Sequence, residues 1–200
     1  MTRNGWQNIL GWFDFPEIYD EAVDRAQSQD ILVEIGAWFG KSTAYLAEKI
    51  IDSKKDITFY TVDTWQGSPE SATQRGIVNA HGGDLFPAFW QNMLQAGVQD
   101  AVIPLQMTSE EASQVFEDDR LAFVFIDGSH TYSAVTGDLR MWYPKIKIGG
   151  FIGGHDFSPR FDVPTAVQDF FKEDYVVIPP KRLTLAGRQK SGSWLHKKRN

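Results

Sequence analysis

The chain has 200 residues, no cysteine and a formal net charge of −6. This length suits one domain with a sizeable core, so we expect a single domain over residues 1–200. The negative charge argues against a general nucleic-acid binder, and the lack of cysteine excludes disulfides, thiol nucleophiles and cysteine-based zinc sites. No segment reads as a signal peptide or a membrane span, which favours a cytoplasmic protein without a membrane partner.

The N-terminal part is predicted to form a helical extension over residues 1–28. Pro16 suits the first turn of a helix, and Ile18, Ala22 and Ala26 follow at helical spacing. We expect this helix to pack over the first strand, and a share in a substrate lid is the alternative.

The first predicted strand, residues 31–35, leads into a glycine-bearing turn and a helix. The pattern there is Glu34-x-Gly36-x-x-x-Gly40-x-Ser42, which differs from the Gly-x-Gly-x-x-Gly of a dinucleotide site. Such a turn brings backbone N–H groups close to a ligand at the carboxyl end of a sheet. Glu34, at the end of a buried strand, needs a hydrogen-bond donor from a ligand or from the backbone.

The second predicted strand, residues 57–63, ends in Asp63. A carboxylate at this position of a doubly wound fold can accept hydrogen bonds from both ribose hydroxyls of a cofactor, and a helix N-cap is the alternative role. Residues 64–83 are polar and rich in turn residues, which predicts a long surface loop that acts as a lid or binding loop.

Strands and helices continue to alternate along the rest of the chain. The predicted elements are a helix at 85–96, a strand at 101–105, a short helix from 108, a strand at 121–127, a helix ended by Pro144, a turn at 147–150, a strand at 151–154, a helix at Pro164, and strands at 175–178, 183–186 and 193–195. The alternation predicts an α/β, Rossmann-like doubly wound sheet, mostly parallel, with helices on both faces and an antiparallel strand near the C-terminus. The basic residues at 181–200 predict a hairpin and solvated tail, with a phosphate-binding arm as the alternative.

Four acids end predicted strands, at the rim where open α/β sheets bind ligands. They are Glu34, Asp63, Asp127 and Asp156. Two of them belong to the motifs Ile-Asp-Gly-Ser-His, at residues 126–130, and Gly-Gly-x-x-x-Gly-His-Asp, at residues 149–156. With these motifs in this order, residues 31–157 resemble a class I S-adenosylmethionine-dependent methyltransferase.

The resemblance implies a role for each matching residue. Glu34 and Gly36 would hold the methionine end of the cofactor, with Trp38 and Ser42 nearby. Asp63 would bind the ribose, with Thr64 and Trp65 beside the adenine. Thr108 and Ser109 would flank the adenine, and Asp127 would lie below the transferred methyl group.

The motifs also resemble those of metal-dependent sugar O-methyltransferases of macrolide pathways. Asp127 and Asp156 match metal ligands of that branch, His130 matches its base, and His155 stands in place of an acid. The resemblance therefore implies a site for Mg²⁺ or Mn²⁺ made of Asp127, His155 and Asp156, in which the imidazole suits Mn²⁺ better. A cap or loop hydrogen bond is the alternative role for His130, and orientation of Asp156 is the alternative for His155.

The predicted activity is therefore in-line methyl transfer to a hydroxyl group of a small molecule, with Asp127 and His130 as catalytic residues. Three aromatic residues, Trp38, Trp65 and Trp90, favour a sugar as the acceptor. A cofactor-binding module without catalysis is the main alternative. An NAD-dependent oxidoreductase is a weaker alternative, because this sequence lacks the glycine motif of that class. Formation of a homo-oligomer is left open.

Overall fold

A computed structural model describes residues 5–180 and 191–200. The strand predicted at 183–186 lies outside these residues. The helices are α1 Pro16–Arg25, α2 Lys41–Ser53, α3 Ala72–Ala80, α4 Phe86–Ala96, α5 Ser109–Ser113, α6 Tyr132–Trp142 and α7 Val163–Phe171. The strands are β1 Ile31–Ile35, β2 Thr58–Asp63, β3 Ile103–Gln106, β4 Leu121–Ile126, β5 Ile146–Phe157, β6 Val176–Ile178 and β7 Gly192–Lys197.

The sheet has the order β3-β2-β1-β4-β5-β7-β6, and β7 runs antiparallel to both of its neighbours. Apolar side chains on its two faces form two separate core clusters, one with α1, α2 and α4 and the other with α5, α6 and α7. The predicted fold class is therefore confirmed. The strand order reverses between β1 and β4, so the carboxyl ends of these two strands open a crevice for a ligand.

Two local predictions need correction. Residues 64–83 contain α3, whose N-cap Ser71 accepts a hydrogen bond from the Gln74 N–H. Residues 147–150 lie within β5, where Gly149 has φ +82° beside a register shift in the pairing with β4, so the glycines make an irregularity rather than a turn. Residues 192–197 form β7 inside the sheet, and this strand includes the one predicted at 193–195.

The basic residues next to β7 pair with the protein itself. The Nζ of Lys198 lies 2.7 Å from the Asp119 Oδ1 and donates to the Ile146 carbonyl at 2.7 Å. Arg199 lies 3.3 Å from Asp174. These two cations therefore help to hold the end of the chain against the sheet. No helix in the described residues is both long and apolar enough to cross a membrane.

Lys55 fastens the C-terminal end of α1. Its Nζ donates to the carbonyl oxygens of Val23, Asp24 and Ala26 at 2.7, 2.9 and 2.8 Å. A cation at this end of a helix satisfies carbonyls that have no partner within the helix. We expect Lys55→Met to lower the free energy of unfolding by about 1–2 kcal/mol, measured by urea denaturation. Lys54→Met, at the exposed neighbouring position, is the control and should change stability by less than about 0.5 kcal/mol.

Candidate active site

A cavity of about 1250 Å³ opens at the carboxyl ends of the central strands. Residues 10–15 of the N-terminal segment, the loop after β2 and the inner face of α6 form its walls. Most of the predicted site residues line it. They are Gly36, Trp38, Ser42, Asp63, Thr64, Thr108, Ser109, Asp127, His130, His155 and Asp156.

The turn after β1 is held by Asp63. Its Oδ2 accepts hydrogen bonds from the N–H groups of Ala37 and Trp38 at 2.8 and 2.9 Å, and its Oδ1 accepts from the Trp65 N–H at 2.8 Å. Burial raises the pKa of the Asp63 carboxyl above its ordinary value, although these N–H groups act in the opposite direction. Asp63 thus joins the turns after β1 and β2 and still lines the cavity.

Three non-glycine residues at this rim have a left-handed backbone. Trp38, Trp65 and Asp156 have φ values of +53°, +55° and +55°. Such conformations cost about 1–3 kcal/mol each and gather at ligand sites, where the surrounding structure enforces them. In the described part of the chain, four other non-glycine residues with a left-handed backbone, Gln29, Lys54, Asp119 and Lys172, lie outside the lining of the cavity. The three at the rim are therefore compatible with a ligand site at this edge and do not identify it by themselves.

Glu34 lies below the cavity and is not part of its wall. Its carboxylate accepts hydrogen bonds from the hydroxyls of Tyr19 at 2.8 Å, Thr61 at 2.9 Å and Thr43. Burial raises the pKa of Glu34, and these hydroxyls act in the opposite direction. The predicted contact between Glu34 and the cofactor is therefore corrected, because three protein donors, rather than a ligand, satisfy the buried acid.

Trp65 is also away from the cavity surface. Its side chain is fully buried against Phe86 and Phe89, and its Nε1 donates to the Trp38 carbonyl at 2.9 Å. The predicted place of Trp65 beside the adenine is corrected, because its ring packs in the core under the turn.

Three groups able to bind a metal ion converge on the cavity floor. One ligand atom each from Asp127, His130 and Asp156 lies within 4.8 Å of the others. The Nε2 of His130 is 2.9 Å from the Asp156 Oδ2. Thr131, whose hydroxyl accepts from the Ala134 N–H, is the N-cap of α6, so His130 has no capping role there.

His155 faces a different partner from the one predicted. Its Nε2 lies 3.0 Å from the Asp14 Oδ1, and its Nδ1 lies 3.9 Å from Asp127 and 3.6 Å from Asp156. Burial lowers the pKa of His155, but the hydrogen bonds with Asp14 and Asp156 and the charge of Asp127 outweigh it and raise the pKa to about 10. In the predicted set of Asp127, His155 and Asp156, the group whose ligand atoms converge therefore has His130 in place of His155, and His155 lies between Asp14 and the two acids.

The acids of this cluster differ in proton affinity. Burial raises the pKa of Asp127 to about 7, against the attraction of His155. For Asp156, burial acts in the same direction, but hydrogen bonds from His130 and His155 hold its pKa well below the ordinary value. Burial lowers the pKa of His130, and the hydrogen bond with Asp156 more than compensates and raises it. The hydrogen bond between His130 and Asp156 therefore favours the protonated form of the imidazole and the ionised form of the carboxyl.

Three further acids at the cavity are absent from the sequence prediction. The Oε1 of Glu70, on the loop after β2, accepts from the Ser129 hydroxyl at 2.7 Å and the His130 N–H at 3.3 Å. Asp14 reaches His155 from the N-terminal segment, and Asp138 lines the cavity from α6. Glu70 and Asp14 lie in segments without a periodic pattern, so no sequence signal marks them. Asp138 could have been identified from the sequence, because it is an acid on the apolar face of a predicted helix.

Comparison with known proteins identifies the family. Residues 33–157 match the model of a methyltransferase domain. An uncharacterized protein of Sinorhizobium fredii, y4gI, is 24% identical over 131 residues, which cover 64% of this chain and 13% of that protein. The chain thus spans a small part of this curated relative.

Solved structures share the fold. The O-methyltransferase NovP is 21% identical, with a TM-score of 0.64 over 92% of this chain and 79% of NovP. A Streptococcus mutans protein described as a methyltransferase, solved in complex with SAH, is 10% identical, with a TM-score of 0.62 over 93% of this chain and 98% of that one. A SAM-dependent O-methyltransferase from Thermotoga maritima is also 10% identical, with a TM-score of 0.60 over 96% and 68%. Because the family model covers more than half of the residues, from β1 to the end of β5, the chain belongs to the methyltransferase domain family.

Proposed function

We propose that the chain transfers the methyl group of S-adenosylmethionine to a hydroxyl oxygen of a small molecule, with a divalent metal ion at Asp127 and Asp156. The convergence of Asp127, His130 and Asp156 on the floor of a cavity beside the Gly36 turn is the observation that carries this proposal. Bound S-adenosylmethionine would supply a sulfonium methyl group that needs no further activation. The protein then has to hold donor and acceptor in line and accept a proton.

The turn after β1 is suited to bind the methyl donor, S-adenosylmethionine. Gly36 has φ +93°, and a Cβ atom there would lie 2.6 Å from the carbonyl carbon of Asp127, so the two strand ends pack with no side chain between them. Gly36 also lines the cavity, so a ligand can reach the backbone of this turn. Asp63, next to the turn, lines the cavity, and its carboxylate is the proposed acceptor for a ribose hydroxyl.

The cavity is large enough for the methyl donor and the methyl acceptor together. Its volume of about 1250 Å³ exceeds the roughly 300–1,000 Å³ that is usual for one small ligand. Aromatic side chains are part of the cavity lining, among them Trp12, Phe13 and Phe161. Trp38 lines the cavity, whereas Trp65 and Trp90 lie outside its lining in the described structure. Aromatic faces stack on sugar and phenol rings, so a ring-bearing hydroxyl compound is the proposed acceptor.

The side chains on the cavity floor are suited to bind a divalent metal ion. Two carboxylates offer the oxygen ligands that Mg²⁺ and Mn²⁺ prefer. When bound, the ion would lower the pKa of the acceptor hydroxyl. His130 is placed to accept the hydroxyl proton, and Asp156, 2.9 Å from its Nε2, holds the imidazole and stabilises its protonated form.

Calorimetric titration with S-adenosylhomocysteine, with and without Mn²⁺, tests the donor and the metal. We expect binding by the parent protein and an effect of Mn²⁺ that Asp127→Asn removes. His130→Gln should keep the Mn²⁺ affinity within about threefold and lower kcat by about 100-fold or more, as removal of a general base does. A large loss of Mn²⁺ affinity in His130→Gln would make His130 a metal ligand instead of the base.

A screen of methyl acceptors tests the substrate class. Sugars, phenols, amines and RNA are offered with labelled S-adenosylmethionine, and the product is located by mass spectrometry. Transfer to sugar or phenol oxygen is the expected result. Transfer to nitrogen or RNA alone would contradict the proposed acceptor, and binding without any transfer would favour a cofactor-binding module.

A further inference from the structure

Asp138 is a buried acid on the cavity wall that the proposed chemistry does not use. It belongs to the inner face of α6, is 6% exposed and lines the cavity. Its Oδ1 accepts a hydrogen bond from the Ser109 hydroxyl at 2.5 Å, and the same hydroxyl accepts from the Trp142 Nε1 at 2.8 Å. Among the described residues, no donor reaches the Oδ2 of Asp138.

A buried carboxylate at this position lowers the stability of the fold unless a ligand donates a hydrogen bond to it. Burial raises the pKa of Asp138 to about 6, and the hydrogen bond from Ser109 is the opposing influence. A buried carboxylate normally has several donors or a cation beside it. Glu34 shows the contrast within this chain, because three hydroxyls surround it. Asp138 therefore has an acceptor oxygen available to a donor that enters the cavity.

The wall around Asp138 suits a flat ring. Met107, Gly137 and Met141 line the same part of the cavity. Methionine sulfur makes favourable contacts with aromatic rings, and Gly137 adds no side chain to the surface. A Cβ atom at Gly137 would meet only the Met141 Cε, at 3.9 Å, so the space beside the helix backbone is open. The donor that Asp138 accepts from is thus expected on the edge of a planar heterocycle.

We propose that Asp138 accepts a hydrogen bond from the exocyclic amino group of the adenine ring and selects adenine over 6-oxo purines, an inference that rests on the proposed use of S-adenosylmethionine. The amino group of adenine is a donor, as a carboxylate requires. A 6-oxo group in its place would set an acceptor against the Asp138 oxygen. Ser109 has used its one hydroxyl hydrogen on Asp138, so its hydroxyl has none left to donate to the ring.

Competitive calorimetry with two ligands tests the proposal. The ligands are S-adenosylhomocysteine and S-inosylhomocysteine, which differ in the 6-position of the purine. We expect the parent protein to prefer the adenine ligand by about tenfold or more. In Asp138→Ala the two affinities should come within about threefold of each other, because the group that distinguishes the two purines is gone.

Two further variants of the chain serve as controls for this experiment. Asp118→Ala removes an exposed acid that pairs with Lys145 away from the cavity, and it should keep the parent preference. Asp138→Asn retains the shape of the side chain if the alanine variant does not fold, and its amide, which can donate as well as accept, should also narrow the preference. An unchanged preference in the folded Asp138 variants overturns the role of Asp138, whereas a parent protein that binds neither ligand overturns the proposed function.

Discussion

Asp156→Asn is expected to lower kcat by about 100-fold or more and to leave the affinity for S-adenosylhomocysteine within about threefold of the parent value. The substitution keeps the shape of the side chain and removes its charge. That charge lies 2.9 Å from the His130 Nε2 and 3.6 Å from the His155 Nδ1. Its loss would remove one proposed ligand of the metal and the group that stabilises protonated His130. Steady-state kinetics and calorimetry separate the effect on turnover from the effect on donor binding.

The pH dependence gives a second readout of the same substitution. Asp156 raises the pKa of His130, against the effect of burial, and a base works only in its deprotonated form. Removing the Asp156 charge therefore lowers the pKa of His130, and we expect the rising limb of the pH–rate profile to move to lower pH. A limb that stays in place would mean that His130 is not the base.

Asp169→Asn is the matched control for Asp156→Asn. Asp169 lies on α7, accepts a hydrogen bond from the Tyr132 hydroxyl at 2.9 Å and is outside the lining of the cavity. Its replacement should leave kcat within about twofold of the parent value, as is usual for a surface position. If Asp156→Asn behaves like this control, the carboxylate of Asp156 takes no part in the reaction.

The sequence was sufficient to predict the sheet and the edge of the sheet at which the candidate site lies. Apolar runs such as residues 121–126 are long enough for buried strands, and Asp127 follows directly from the end of its strand. Parallel strands place such residues together at one edge, whatever the loops between them do. The grouping of Asp127, His130 and Asp156 therefore follows from strand ends and local spacing.

Contacts between distant segments could not be predicted in the same way. Glu34 finds its donors on Tyr19 and Thr61, which are 15 and 27 residues away along the chain. No local pattern shows that α1 brings a hydroxyl under the first strand. His155 pairs with Asp14 across a still longer separation. Side-chain partners of buried acids are a tertiary property that strand periodicity does not encode.

Gly36→Ala is expected to lower the free energy of unfolding by about 3 kcal/mol and to weaken binding of S-adenosylhomocysteine by about 100-fold. Gly36 has φ +93°, and a Cβ atom there would lie 2.6 Å from the carbonyl carbon of Asp127 and 2.9 Å from the Gly128 nitrogen. Both neighbours are backbone atoms, so the ends of β1 and β4 must move apart to admit a methyl group. This movement would displace the donor turn and the Asp127 carboxylate together. Urea denaturation and calorimetry measure the two effects.

Gly76→Ala shows whether the loss comes from the position or from the residue type. Gly76 lies within α3 and has no atom within 4 Å of where its Cβ would be. Alanine there should raise the free energy of unfolding by about 0.5–1 kcal/mol, because it favours the helix and restricts the unfolded chain. The same chemical change thus has opposite expected signs at two sites. If both variants were as stable as the parent protein and bound S-adenosylhomocysteine equally well, the close approach of β1 and β4 at Asp127 would not be what shapes the donor site.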